Sequence, residues 1–154
     1  MRCGSGGKKA GGTSRLNKAL LDTDTYSEIL KAVDPIVTRN ATTYRQAQGV
    51  LTLSTVTVME VIRGFQKNQS HGKLQSFLAA VALEEVLAFD RPAADLAGRI
   101  AGDLERVGRP IGVADPMIAA IALTRGLELV TGNTAHFQRI QQLGYPLMLA
   151  DWRT

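Results

Sequence analysis

The feature that most constrains this chain is an alternation. Short apolar or β-branched runs at 19–21, 51–56, 86–89, 127–131 and 147–149 are separated by longer stretches with helical periodicity. Strands that pair in parallel need a crossover of a dozen or more residues, whereas a hairpin needs only about two. The runs here are spaced for crossovers, so the pattern predicts an α/β fold with a mainly parallel sheet and helices on both faces. Helices are expected over 26–33 and 44–50, on either side of the breaker Asp34-Pro35, then over 58–62 and 71–83, and again over 93–107, 117–125 and 134–143. In the segment after Pro92, Ala93, Ala97, Ile100, Leu104 and Val107 recur on one buried face, with Asp95, Arg99 and Asp103 on the solvated side. A chain of 154 residues suits one domain with one site. Its single cysteine, Cys3, leaves no disulfide framework to consider.

The formal charge of +4 is unevenly placed. Arg2, Lys8, Lys9, Arg15 and Lys18 fall in the first 18 residues, which hold no acid, leaving 13 basic and 14 acidic residues from Ala19 onward. The folded body is therefore not basic, and bulk attraction to a polyanion is not its binding principle. Residues 1–18 are glycine-rich and lack apolar periodicity, so they read as a disordered basic tail, an expression tag or a mis-called start. The domain is expected over 19–154. A secretory signal needs an apolar stretch after the charges, and none precedes Ala19, so the expected location is the cytoplasm. Nor is any run near the roughly 20 apolar residues that span a bilayer. The cluster at 4–12 suggests a phosphate loop, but that motif needs Gly where Arg2 stands and Ser or Thr where Lys9 stands.

In open parallel sheets the chemistry sits beyond the carboxyl ends of the strands. At those ends and at helix starts this sequence places Asp22 and Asp24, Glu60, Asp115 and Asn133. Carboxylates crowded together raise one another's pKa and cost stability unless a positive group sits among them. A divalent cation meets that need. With two histidines in the chain and the one cysteine in the tail, oxygen ligation of Mg²⁺ or Mn²⁺ fits better than zinc.

Four segments occur in an order that resembles the PIN-domain family, and specifically the VapC-type toxins of bacterial toxin-antitoxin pairs. They are Leu20-Leu21-Asp22-Thr23-Asp24-Thr25, the stretch from Ser54 through Glu60 to Gly64, Ile111 through Asp115 to Ala120, and Leu129-Val130-Thr131-Gly132-Asn133 through His136-Phe137. The resemblance covers about Ala19 to Trp152. It implies an α/β/α sandwich, Mg²⁺- or Mn²⁺-dependent endoribonuclease activity on RNA phosphodiesters, a homodimer, and inhibition by a cognate antitoxin. By position, the family's acids fall on Asp22, Glu60 and Asp115, catalytic and metal-binding, and its fourth ligand position falls on Asn133. An amide there gives a neutral oxygen, and His136 stands where many relatives carry an acid. Asp24 is assigned a supporting or secondary-ligand role, facing the same way as Asp22 if the strand continues. Thr131 is expected to hydrogen-bond a ligand carboxylate or a phosphate.

Plainer readings stand beside these. Asp115 is placed to cap a helix with Pro116 in its first turn, Asp22 and Asn133 suit turns, and Glu60 suits a helix start. His71 and His136 read as surface or partly buried side chains rather than general bases. Arg63, Arg109, Arg125 and Arg139 could contact RNA phosphate, yet each also suits a helix end. Two other functions compete. Asp22-Thr23-Asp24 resembles the start of haloacid-dehalogenase-type phosphotransferases, but the Lys that family needs is missing after Thr131. A PIN-type binding module, weakly active or inactive, would use the acidic pocket to receive a partner's Arg.

Overall fold

A computed structural model describes residues 17–154. The expected tail at 1–18 therefore lies almost entirely outside the described residues. The elements run β1 (Ala19–Leu21), α1 (Thr23–Lys31), α2 (Pro35–Gln48), β2 (Thr52–Ser54), α3 (Thr55–Lys67), α4 (His71–Val81), β3 (Glu85–Leu87), α5 (Arg91–Arg106), α6 (Ala114–Arg125), β4 (Glu128–Val130), α7 (Thr134–Gln142) and β5 (Leu149–Ala150). Every strand pairing is parallel. One sheet has the order β1-β4-β5, a second pairs β2 with β3, and β1 runs close beside β2.

Strand residues alternate between two cores, which places helices on both faces. Leu20 and Leu129 join a cluster with Ile100, Leu104, Ile118, Ile121 and Phe137, under α5, α6 and α7. Their neighbours Leu21 and Val130 join Tyr26, Tyr44, Leu53, Phe77 and Trp152 on the opposite side, under α1, α2 and α4. Successive strand side chains point to opposite faces, so three residues of β1 are enough to tie both layers together. This is the parallel sheet with helices on both faces that the alternation predicts, and the α/β/α sandwich that the resemblance implies. Among the described residues no helix is long and apolar enough to cross a membrane.

Several boundaries differ from the sequence reading, each for a capping reason. Helix α1 begins at Thr23, not Tyr26, because Asp22 itself caps it, accepting from the Thr23 N–H. The strand therefore does not continue to Asp24, and that residue lies in the first turn of a helix. Asp34-Pro35 opens α2 instead of interrupting it: Asp34 accepts from the Ile36 and Val37 N–H groups, and Pro35 takes the first helical position. Ser54 caps α3, so that helix starts at Thr55 and runs past Gly64 to Lys67. Glu60 thus sits beyond the first turn and has no dipole role there. Conversely, Asp115 is not a cap, since Val113 takes that place without a side-chain hydrogen bond. Val107, expected on the buried face of α5, is its exposed C-cap.

Candidate active site at the carboxyl edge of the sheet

The site forms where β1 and β4 end. Asp22 is 5% exposed. Its backbone N–H donates to the Val130 carbonyl at 2.9 Å, which extends the ladder by one residue and fixes where its side chain emerges. The carboxylate is then held by two donors: Thr131 Oγ1 reaches Oδ2 at 2.8 Å and the Thr23 N–H reaches Oδ1 at 2.8 Å. Thr131 is itself held, because its hydroxyl accepts from the Asn133 N–H at 3.0 Å.

Despite these donors, the Asp22 carboxyl is pushed up to about 7, chiefly by burial, then by the charge of Asp24, with Asp115 adding less. The groups acting on it among the described residues carry no positive charge. Asp115 is also raised, by burial first and by Asp24, with His136 opposing. Three acids from α1 and α6 therefore sense one another at this edge.

The other candidates are placed as follows. Asp24 turns toward the β4–α7 turn, its Oδ2 accepting from the Gly132 N–H at 3.0 Å and its Oδ1 from the Thr25 N–H at 2.6 Å. Glu60 Oε1 accepts from Thr23 Oγ1 at 2.6 Å, and that hydroxyl stands 2.9 Å from Thr57 Oγ1. A hydroxyl bridge thus carries Glu60 to the residue next to Asp22. Asn133 is exposed at the N-cap of α7, and its amide meets His136 Nδ1 at 2.9 Å. The same ring nitrogen lies 3.1 Å from Asp115 Oδ2.

These donors suit a hard cation in type, being carboxylate and amide oxygens around a buried acid with no cationic partner. They do not form a closed cage: among the described residues no three His, Cys, Asp or Glu side chains stand ready to hold an ion together. Asp22 and Asp115 are within electrostatic reach, while Glu60 is occupied by Thr23.

Sequence reasoning did not find the Thr23–Glu60 link or the His136–Asp115 contact. Thr23 looks like filler between two acids. The signal for His136 was its spacing of three from Asn133, which puts both on one side of the first turn of α7. Of the arginines, Arg109 bonds Gln142, Arg125 lies 3.6 Å from Asp90, Arg139 donates to the Pro110 carbonyl, and Arg63 stands within α3. His71 is exposed at the start of α4.

A parallel sheet between helical layers, with acids gathered where β1 and β4 end, defines a class, and the comparison with known proteins agrees. The PIN domain model matches residues 19–143, and the chain belongs to that family. Within it the chain is similar to the tRNA(fMet)-specific endonuclease VapC of Shigella flexneri, with 40% identity over 97 residues, covering 60% of this chain and 71% of that protein. The protein of the same name from Salmonella typhimurium is 36% identical over 104 residues, covering 65% and 74%. Among solved structures, the DNA-bound VapBC assembly from Salmonella typhimurium contains a chain that superposes with a TM-score of 0.74 at 31% identity, covering 88% of this chain and 98% of that one.

Proposed function

We propose that this protein is a Mg²⁺- or Mn²⁺-dependent endoribonuclease, the toxin of a toxin-antitoxin pair, acting in the cytoplasm as a homodimer. The observation that carries the reading is Asp22: a buried carboxylate, oriented by Thr131 and Thr23, with Asp24 and Asp115 as its charged neighbours. A fold uses such a costly arrangement where something positive is meant to enter. The relatives named as endonucleases and ribonucleases support hydrolysis of RNA, and their names support tRNA as the first substrate to try. The VapBC assemblies among the structural neighbours support an antitoxin as partner.

The residues that would hold the ion are Asp22 and Asp115, with Glu60 joining from α3 and Asn133 from the β4–α7 turn. When bound, such an ion supplies neutralisation of the charge that develops on phosphodiester oxygens. The chain's own residues do the positioning. Thr131 and the Thr23 N–H fix the rotation of the Asp22 carboxylate. Thr23 holds Glu60, and Thr57 in turn meets the Thr23 hydroxyl. Asp115, which is not a cap, holds its carboxylate beside His136 at the same edge.

The decisive experiment compares wild type with Asp115→Asn on defined tRNA and rRNA fragments, with Mg²⁺ or Mn²⁺ and with excess chelator. Cleavage by the wild type alone, and only with metal, is the expected result. Undiminished cleavage by the variant or in chelator would remove this mechanism.

A further inference from the structure

RNA brings negative charge to an edge that is already acidic, so the chain's own cations matter there as much as its acids. Arg109, Arg125 and Arg139 are taken up elsewhere. Arg153 is placed differently. Its Nη2 donates to the Gly132 carbonyl, in the β4–α7 turn between Thr131 and Asn133, and the Gly132 N–H in turn donates to Asp24 at 3.0 Å. Asp151 holds the same side of the fork, accepting from Nε at 3.3 Å and from Nη2 at 3.4 Å. The approach to the turn is so close that a Cβ at position 132 would overlap Nη2, Cζ and Nε of the guanidinium, and only glycine leaves that room. The backbone is anchored as well, since Trp152 is buried and its carbonyl accepts from the Asn40 side chain at 2.8 Å.

A guanidinium carries five N–H groups in a fixed fork. Nε and Nη2 are engaged, whereas among the described residues Nη1 has no hydrogen-bond partner, and the side chain is 46% exposed. A cation braced on one side, with a free pair of N–H groups on the other, has already lost much of the side-chain freedom that binding would cost. It lines a small cleft with Asp24, Thr25, Glu28 and Gly132. Asp151 chiefly, then Asp24 and Glu28, hold its proton more firmly than usual. It is not among the groups that act on Asp22 or Asp115, so it stands at the rim and not at the centre. We infer that Arg153 is a substrate-binding residue for the nuclease reaction proposed above, on which the inference rests, its Nη1 donating to a phosphate of the RNA that flanks the one cut. Arginine suits this because its planar fork meets phosphate oxygens through directed N–H groups. Without it, a phosphate passing this cleft would meet the carboxylates of Asp24 and Glu28.

The test is equilibrium binding of a fluorescent tRNA fragment across a salt series, with Mg²⁺ held constant and in an Asp115→Asn background so that the RNA stays uncut. Arg153→Ala should weaken binding roughly tenfold, the scale of a hydrogen bond to a charged group. It should also lower the slope of log K against log salt by about 0.7 to 0.9, the share of one phosphate contact. In the active protein the loss should appear in KM more than in kcat. Arg99→Ala removes the same charge from the solvated face of α5 and should change neither binding nor slope. Gly132→Ala should reproduce the Arg153→Ala loss with the arginine still present, because its methyl displaces the guanidinium, and the double variant should bind no worse than either alone. A slope that Arg153→Ala leaves unchanged overturns the inference even if activity falls, since a residue that only braces the turn would lower kcat and melting temperature without moving it. Full RNA binding by a folded Gly132→Ala overturns it too. A wild type that neither binds nor cuts RNA removes the nuclease reading itself, and this inference with it.

Discussion

Helix α5 and the carboxyl edge of the sheet treat aspartate in opposite ways. On α5, Asp95 pairs with Arg99 four residues on at 2.6 Å, Asp103 pairs with Arg106 at 3.5 Å, and all four side chains are well exposed. At the edge, Asp22 is buried, its charged neighbours are Asp24 and Asp115, and its donors are neutral. The first arrangement is settled by partners already in the chain, with Tyr145 also donating to Asp103 at 2.6 Å. The second raises the free energy of the ionised site. A carboxylate's neighbours, more than its presence, distinguish a solvated face from a place where chemistry is done.

That contrast can be broken by experiment, and the largest effect should come from the edge. Asp115→Asn or Asp22→Asn should lower RNA cleavage by at least roughly 10²–10³-fold, the scale seen when one group stabilising transition-state charge is removed. Circular dichroism should report an unchanged fold.

Next in size is the dependence of stability on pH. The Asp22 carboxyl is raised in the folded protein, from an ordinary value of 3.8 to about 7, so the folded state holds a proton that the unfolded chain has released. Stability should therefore be highest near and below the lower value and fall as pH rises through the upper one, by on the order of 4 kcal/mol over that range. Chemical denaturation of metal-free protein from pH 4.5 to 7.5 measures this. Asp22→Asn should flatten the decline, making the inactive variant more stable than the parent at pH 7.5. Saturating Mn²⁺ should also raise stability most at the alkaline end. A wild-type profile that rises with pH would show that the edge is compensated by something other than metal.

A smaller effect is expected from Thr131→Val, which keeps the shape but removes the donor to Asp22 Oδ2 and the acceptor for the Asn133 N–H. Loss of a hydrogen bond to a charged group costs about 2 kcal/mol. Cleavage should drop roughly 10–100-fold through a misaligned ligand. The smallest effect belongs to α5: Asp95→Asn should leave both cleavage and melting temperature at wild-type values. A measurable loss of activity there would erase the distinction between the two regions.

Much of the fold was legible because the strands are short and separated by long helical crossovers. The buried face of α5 was legible through Ala93, Ala97, Ile100 and Leu104, which are all buried as their spacing requires. The helix starts were harder, because an Asp before a Pro can stand in more than one place. Asp34-Pro35 is cap and first helical residue, whereas Asp115-Pro116 lies one step inside α6, where the carboxylate has no backbone to satisfy and is free to meet His136. Nothing local separates the two cases; the difference is set by what packs around each turn. Candidate acids at the edge could be listed from motif order. Their partners could not, since Thr23 with Glu60 and Asp115 with His136 join residues 37 and 21 positions apart.

One of these long-range links bears on how such a chain is made. Asp22 and the Thr131 hydroxyl that orients it are 109 residues apart. A ribosome must therefore complete most of the polypeptide before the first acid can be seated, and β1 waits for β4 throughout elongation. Nascent chains, truncated products and molecules with β1 slipped by one residue all lack that contact. On the reading proposed above, the first acid is not fully oriented until Thr131 has been made and β4 has paired with β1.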